Sequence, residues 1–187
     1  ATCTSAGLMS IASASECETA VAAINAACKS SGVSTTSIQA LVVVTQTGDR
    51  KEHIPHVSAI VHAKLGLDSS AVAFDVGLGC SGYVYGLQII QGLMSQLSLN
   101  RGVLVTADPY SRIIDRNDKS SSLLFGDAAT ATIIDNQGNW QIGPALLETD
   151  GAKSENIQTV NGVFKMNGRQ VFNFAMNSVP KQIRQLL

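Results

Sequence analysis

The 187 residues are 45% apolar and 14% charged, enough to bury a sizeable core at a length near the upper edge of one domain. A net charge of -1 and a pI near 6.3 leave no basic stripe for nucleic acid. No apolar run approaches the roughly 18 residues of a membrane span, and the Ser/Thr/Ala-rich start lacks the charged beginning and apolar centre of a secretory signal.

In chain order, Ser15-Glu16-Cys17-Glu18 reads as a capping box. Cys17, Ala20, Val21, Ile24, Ala27 and Cys28 then recur at helical spacing before Gly32, which predicts one amphipathic helix. The β-branched run from Ala40 to Thr45 predicts a strand. Pro55 is expected to open a second helix with Val57, Ile60, Val61 and Leu65 on one face, stopped by Gly66. Ala71 to Val76 is the next short strand. After the glycine-rich turn Gly77 to Gly82, Tyr83, Leu87, Ile90, Met94 and Leu97 mark a third helix, and Gly102 to Ala107 a third strand. Such alternation builds a largely parallel sheet covered on both faces. Ala128 to Asp135 is expected as a further strand, followed by the polar turn Asn136 to Asn139. Beyond it, Gly162 to Met166 reads as a strand, and Asn167 to Leu187 as a helix that Pro180 is expected to bend. Ala1 is not an initiator Met, no strand precedes the first helix and the last helix lacks a stop signal, so the expectation is a piece of a longer chain.

Cys3, Cys17, Cys28 and Cys80 are spaced neither as a disulfide framework nor as zinc-binding pairs. A reducing, cytoplasmic setting without a bound metal is expected. Cys80 differs from the others because it stands between a buried strand and the first turn of a helix. There, unpaired backbone N–H groups and the positive end of the helix dipole favour a thiolate, the nucleophilic form. The flanking glycines let a substrate carbonyl approach the sulfur and nearby N–H donors, as acyl transfer requires. The bland alternative is a small buried hydrophobe. A rival functional reading comes from Gly77-Leu78-Gly79-Cys80-Ser81-Gly82, which spells a dinucleotide-binding fingerprint, with Asp108 about where a ribose-binding acid would stand. Against it, the motif belongs to the third strand-helix passage, and aromatic Tyr83 follows it.

The segment Ala73 to Gly86 (AFDVGLGCSGYVYG) resembles the active-site segment of the 3-oxoacyl-(acyl carrier protein) synthase III family of condensing enzymes. Leu104 to Asp108 is similar to the family's strand after the cysteine helix. Phe125 to Ala131 (FGDAATA) resembles its FGDGAGA segment, and Phe164 to Phe172 its Met-x-Gly-x-x-Val-Phe segment. The resemblance implies an α/β thiolase-like fold, in which residues 1–140 form the N-terminal half with a mixed, mostly parallel sheet. Residues 141–187 would begin an incomplete C-terminal half. It also implies a homodimer paired along the strand at Ala128 to Asp135, and a ping-pong reaction on acyl-CoA and malonyl-acyl carrier protein, with CoA thioesters as substrates and no cofactor.

Carried onto this sequence, Cys80 takes the acyl group and its backbone N–H contributes to an oxyanion hole. Lys119 stands where the family often has a CoA-contacting Arg, keeping the charge without the planar stacking surface. Phe125 matches a position at the acyl pocket, with plain core as the alternative role. Asp75 and Asp127 also match family positions, where structural hydrogen bonding is the favoured role. The family's catalytic His and Asn lie beyond the matched stretch. His53, His56 and His62 all precede Cys80 and are expected to be ordinary residues on or near the second helix, and Trp140 a packing residue. Two other readings stay open: acyl transfer to a different acceptor in secondary or polysaccharide metabolism, and a non-catalytic partner subunit or inactive fragment.

Overall fold

The computed structural model describes residues 15–47, 54–138 and 140–187 and divides into two compact units. The first comprises Ala1–Pro109 and Asp127–Ile142; the second comprises Tyr110–Gly126 and Gly143–Leu187.

The first unit begins with helix α1, Glu16–Ser31. Ser15 caps it by accepting from the Glu18 N–H while the Glu18 carboxylate accepts from the Ser15 N–H, and Gly32 closes it in the left-handed conformation at φ 68°. Strand β1 (Ala40–Val44) leads to α2 (Val57–Leu65), β2 (Val72–Val76), α3 (Gly82–Gln96), β3 (Arg101–Asp108) and, after the excursion into the second unit, β4 (Ala128–Asp135). The sheet order is β2-β1-β3-β4; β1 pairs in parallel with both neighbours, and β4 returns antiparallel to β3. This is the covered, mainly parallel sheet that the alternation of elements predicts.

Period-two alternation sorts the central strands between two cores. Leu41 and Val43 of β1, Val103 and Val105 of β3 and Ala131 and Ile133 of β4 pack under α1 and α2. Ala40, Val42, Val44 and Leu104 face Ile90 and Met94 of α3. Every β1 residue is buried, as expected for a strand paired on both edges and covered on both faces. Gly86 and Gly102 allow the close approach of α3 to the sheet, since a side chain at Gly102 would meet Ile90 and Met94.

Three sequence expectations change in this unit. Trp140, expected as a packing residue, is 71% exposed. Strand β2, expected as a buried strand, is half-buried along its length at an edge of the sheet. Pro55 does not open α2; His56 is its N-cap, with Nδ1 accepting from the Ala59 N–H at 3.2 Å, and Pro55 lies one residue further out. An imidazole nitrogen here supplies the acceptor that the helix start needs.

The second unit contains the four-residue helix α4 (Lys119–Ser122), the hairpin β5 (Ile157–Val160) and β6 (Val163–Met166), and helix α5 (Gly168–Leu186). Strand β6 and α5 follow the sequence expectation, with Asn167 capping α5 through the Gln170 N–H and Pro180 standing inside the helix. Strand β5 and α4 are additions. The hairpin turns at Asn161 and Gly162, both at positive φ (52° and 78°), the backbone that a two-residue turn of this handedness requires. Tyr110, Phe125 and Phe164 form an aromatic cluster with centroids 4.9 to 5.5 Å apart, and the Phe164 N–H donates to the Ile113 carbonyl at 2.7 Å.

Candidate active site

The parallel strands β1, β2 and β3 end on the same edge of the sheet, the edge where open α/β sheets hold their ligands. Cys80 lies there, in the turn after β2 and two residues before the first residue of α3. The turn closes with Leu78 N–H donating to the Val76 carbonyl at 2.9 Å and Gly82 N–H to the Gly79 carbonyl at 2.7 Å. Gly82 is needed sterically: a Cβ there would collide with the Val44 side chain at the end of β1 and press on Leu78. No such crowding surrounds Gly77.

Cys80 is exposed, whereas Cys17 and Cys28 are buried in α1, and all three are free thiols. Burial pushes the Cys28 thiol up, with the positive charge of Arg101 offsetting part of that rise, so the neutral form prevails and Cys28 is a packing residue. Cys3 lies outside the described residues. Among the described residues, no hydrogen bond engages the backbone N–H groups of Gly79, Cys80 or Ser81. These three successive donors belong to the turn that carries the exposed sulfur and leads into a 15-residue helix, the kind of setting that can meet the negative charge developing on a thioester oxygen.

The surrounding side chains have structural partners. Asp75 in β2 accepts the N–H groups of Val57 and Ser58 at 2.7 and 2.8 Å, satisfying two donors at the start of α2. His56 Nδ1 pairs with Ser58 Oγ at 2.7 Å, and His62 Nε2 meets the Asp68 carbonyl at 3.0 Å. These two histidines are thus tied to α2 and its flanks, while His53 lies outside the described residues. Asp108, at the end of β3, is the residue that sequence reasoning undervalued. Its Oδ1 accepts from Thr45 Oγ1 (3.0 Å), Gln46 N–H (2.8 Å), Thr47 N–H (3.1 Å) and Thr47 Oγ1 (3.0 Å). That oxygen is committed to the segment after β1, which counts against the ribose-binding role in the dinucleotide alternative. Some 60 residues separate these partners, so no local pattern could reveal them.

Lys119 and Phe125 belong to the second unit. Lys119 is exposed and opens α4, which is capped by Asp118 through the Ser120 N–H at 3.0 Å. Phe125 is part of the aromatic cluster, stacked on Tyr110 at 4.9 Å. Among the described residues, no three His, Cys, Asp or Glu side chains gather as a metal site, and no helix is long and apolar enough to cross a membrane.

Comparison with known proteins agrees with this architecture. The family model for 3-oxoacyl-(acyl-carrier-protein) synthase III matches residues 74–151, which include the Cys80 turn. A beta-ketoacyl-(acyl-carrier-protein) synthase III of Levilactobacillus brevis is 34% identical over 175 residues, covering 84% of this chain and 52% of the relative. The crystal structure of the 3-oxoacyl-(acyl carrier protein) synthase III of Pseudomonas aeruginosa PAO1 superposes with a TM-score of 0.81 at 29% identity, covering 94% of this chain and 56% of that one. A priming beta-ketosynthase from the R1128 polyketide biosynthetic pathway gives a TM-score of 0.84 at 25% identity, covering 94% and 56%. The chain therefore spans about half the length of the curated relatives it matches. Sheet order, the cysteine turn and these similarities converge: the chain belongs to the 3-oxoacyl-(acyl carrier protein) synthase III family and has its α/β, thiolase-like fold.

Proposed function

We propose that Cys80 is the acyl acceptor of a Claisen-type condensing enzyme that joins an acyl-CoA to malonyl-acyl carrier protein, initiating fatty acid or related synthesis. The observation that carries this reading is the exposed Cys80 sulfur at the carboxyl edge of the sheet, beside unengaged backbone donors at the head of α3.

In the first half-reaction the Cys80 thiolate attacks the thioester carbonyl. A C–S bond forms, the carbonyl electrons move to oxygen, and the Cys80 N–H stabilises the oxyanion. Collapse expels the CoA thiolate, which takes up a proton, and leaves an acyl-Cys80 thioester. In the second half-reaction the malonyl thioester loses CO2, and the resulting carbanion attacks the acyl carbonyl. A C–C bond forms, the C–S bond breaks, and the Cys80 thiolate is regenerated with the 3-oxoacyl product. The chain's own described residues support the first half-reaction; His56 and His62 are occupied at α2, so the assistance to decarboxylation is assigned to a His and an Asn outside the matched stretch.

Lys119 is assigned to CoA and Phe125 to the acyl pocket, with residues 1–140 as the first, cysteine-bearing half of the fold and 141–187 as the start of the second. The reacting group is a reduced thiol and needs no cofactor, which suits a cytoplasmic enzyme. A homodimer is proposed through β4, which is one of the two edge strands of the sheet among the described residues.

Intact-mass spectrometry after mixing the protein with acetyl-CoA and longer acyl-CoAs tests the reading. A gain of one acyl group that is lost in Cys80→Ala supports it. A gain retained in Cys80→Ala places the acyl group elsewhere and overturns it, and no gain with any acyl donor removes the acyl-enzyme step.

A further inference from the structure

The segment after β1 does more than connect strand to helix. Asp108 gathers four donors from Thr45, Gln46 and Thr47 onto one carboxylate oxygen, fixing the backbone on both sides of Gln46. The Gln46 side chain then lies against Gly79, the residue immediately before Cys80. A Cβ built on Gly79 would collide with Gln46 Oε1 and lie 2.9 Å from Cδ and 3.3 Å from Nε2. A methyl at Gly79 would meet the far end of the exposed Gln46 side chain rather than backbone, and the carboxamide would have to shift to admit it. At Gly77, two residues earlier in the same turn, the space is open.

From this packing we infer that Gln46, whose backbone Asp108 holds, is a positioning residue for Cys80. Glycine is the most conformationally permissive residue, and a glycine just before a reacting cysteine lets the sulfur wander unless something covers it. The carboxamide covers it, holding the turn so that the sulfur stays near the unengaged N–H groups at the head of α3. The role rests on the reading of Cys80 as the reacting thiol, but it concerns the geometry of the turn and is measurable without any acyl donor.

The test is the rate of Cys80 alkylation by iodoacetamide, located by peptide mapping, with protection of buried Cys17 and Cys28 as the internal measure of folding. Gln46→Ala uncovers Gly79 without changing Cys80 or its neighbours in the turn. It is expected to slow Cys80 alkylation about tenfold near neutral pH. Asp108→Asn, which keeps an acceptor but loses the charge, gives a smaller loss of the same kind. Gln46→Glu keeps the shape of the side chain and is expected to retain more of the wild-type rate than Gln46→Ala.

An unchanged rate in Gln46→Ala overturns the inference, because the carboxamide would then only fill space. Exposure of Cys17 and Cys28 in parallel with the change at Cys80 also overturns it, showing general loosening. Failure of acyl-CoA to label wild-type Cys80 would count against the proposed function and leave this result standing.

Discussion

The two compact units treat their apolar residues differently. In the first, α1 and α2 cover one face of the sheet and α3 the other, and every residue of β1 is buried. In the second, α5 has no buried residue, and Phe172, Phe174, Met176, Val179, Ile183 and Leu186 are all exposed. Both units contain regular, well-capped elements, so local structure does not separate them. What separates them is coverage: the first unit completes its own core, and the long helix of the second has an apolar face that its own unit leaves open.

Substitutions can break or sharpen that contrast. The largest effect is expected at Leu41, fully buried between strand and helices, where Leu41→Ala should cost about 3 kcal/mol by urea unfolding. A cost under about 1 kcal/mol would show that the first unit is less completely packed than described.

Arg101 should come next. Its Nε donates to Asp135 at 2.7 Å and its Nη1 to Ser37 at 2.6 Å, joining β3 to β4 and to the turn before β1. Arg101→Met is expected to cost about 2 kcal/mol at neutral pH. Burial pushes the Asp135 carboxyl up, but the Gln137 N–H and the bond and charge of Arg101 more than offset it, so the group titrates below the usual carboxylate range. A depressed folded value stabilises above the unfolded carboxyl pKa, near 3.9, and that contribution is lost as pH falls through the folded value. Stability should therefore drop on acidification below about pH 4, and Asp135→Asn should flatten that part of the profile. An identical acid limb in Asp135→Asn would remove the pair from the account.

The smallest effect is expected on α5. Phe172→Ala should change stability by less than about 0.5 kcal/mol, because the ring is already 63% exposed. A loss comparable to that at Leu41 would mean that this face is covered in solution.

Much of the first unit was legible because its signals are local. The capping box at Ser15 and the glycines at 32 and 66 fix helix ends, and the run from Ala40 to Thr45 is too β-branched to be anything but strand. Strand β5 escaped because all four of its residues are exposed and show no apolar period, although Asn161-Gly162 is a hairpin signal that could have found it. The Cys80 turn was readable from its glycines and neighbouring elements. The structural partners of Asp75 and Asp108 were not, since both bind backbone groups of distant segments whose approach the topology alone decides.

The central place of β1 also has a temporal side. Ala40 pairs with Val72 and with Gly102, so this wholly apolar strand emerges from the ribosome about 60 residues before its second partner. At typical synthesis rates that is a wait of roughly 3 to 12 s, during which an aggregation-prone edge has no sheet to join. The capped helix α1 just upstream can form early and shelter one face of the strand. On this view the capping box at Ser15 serves the nascent chain as well as the finished fold.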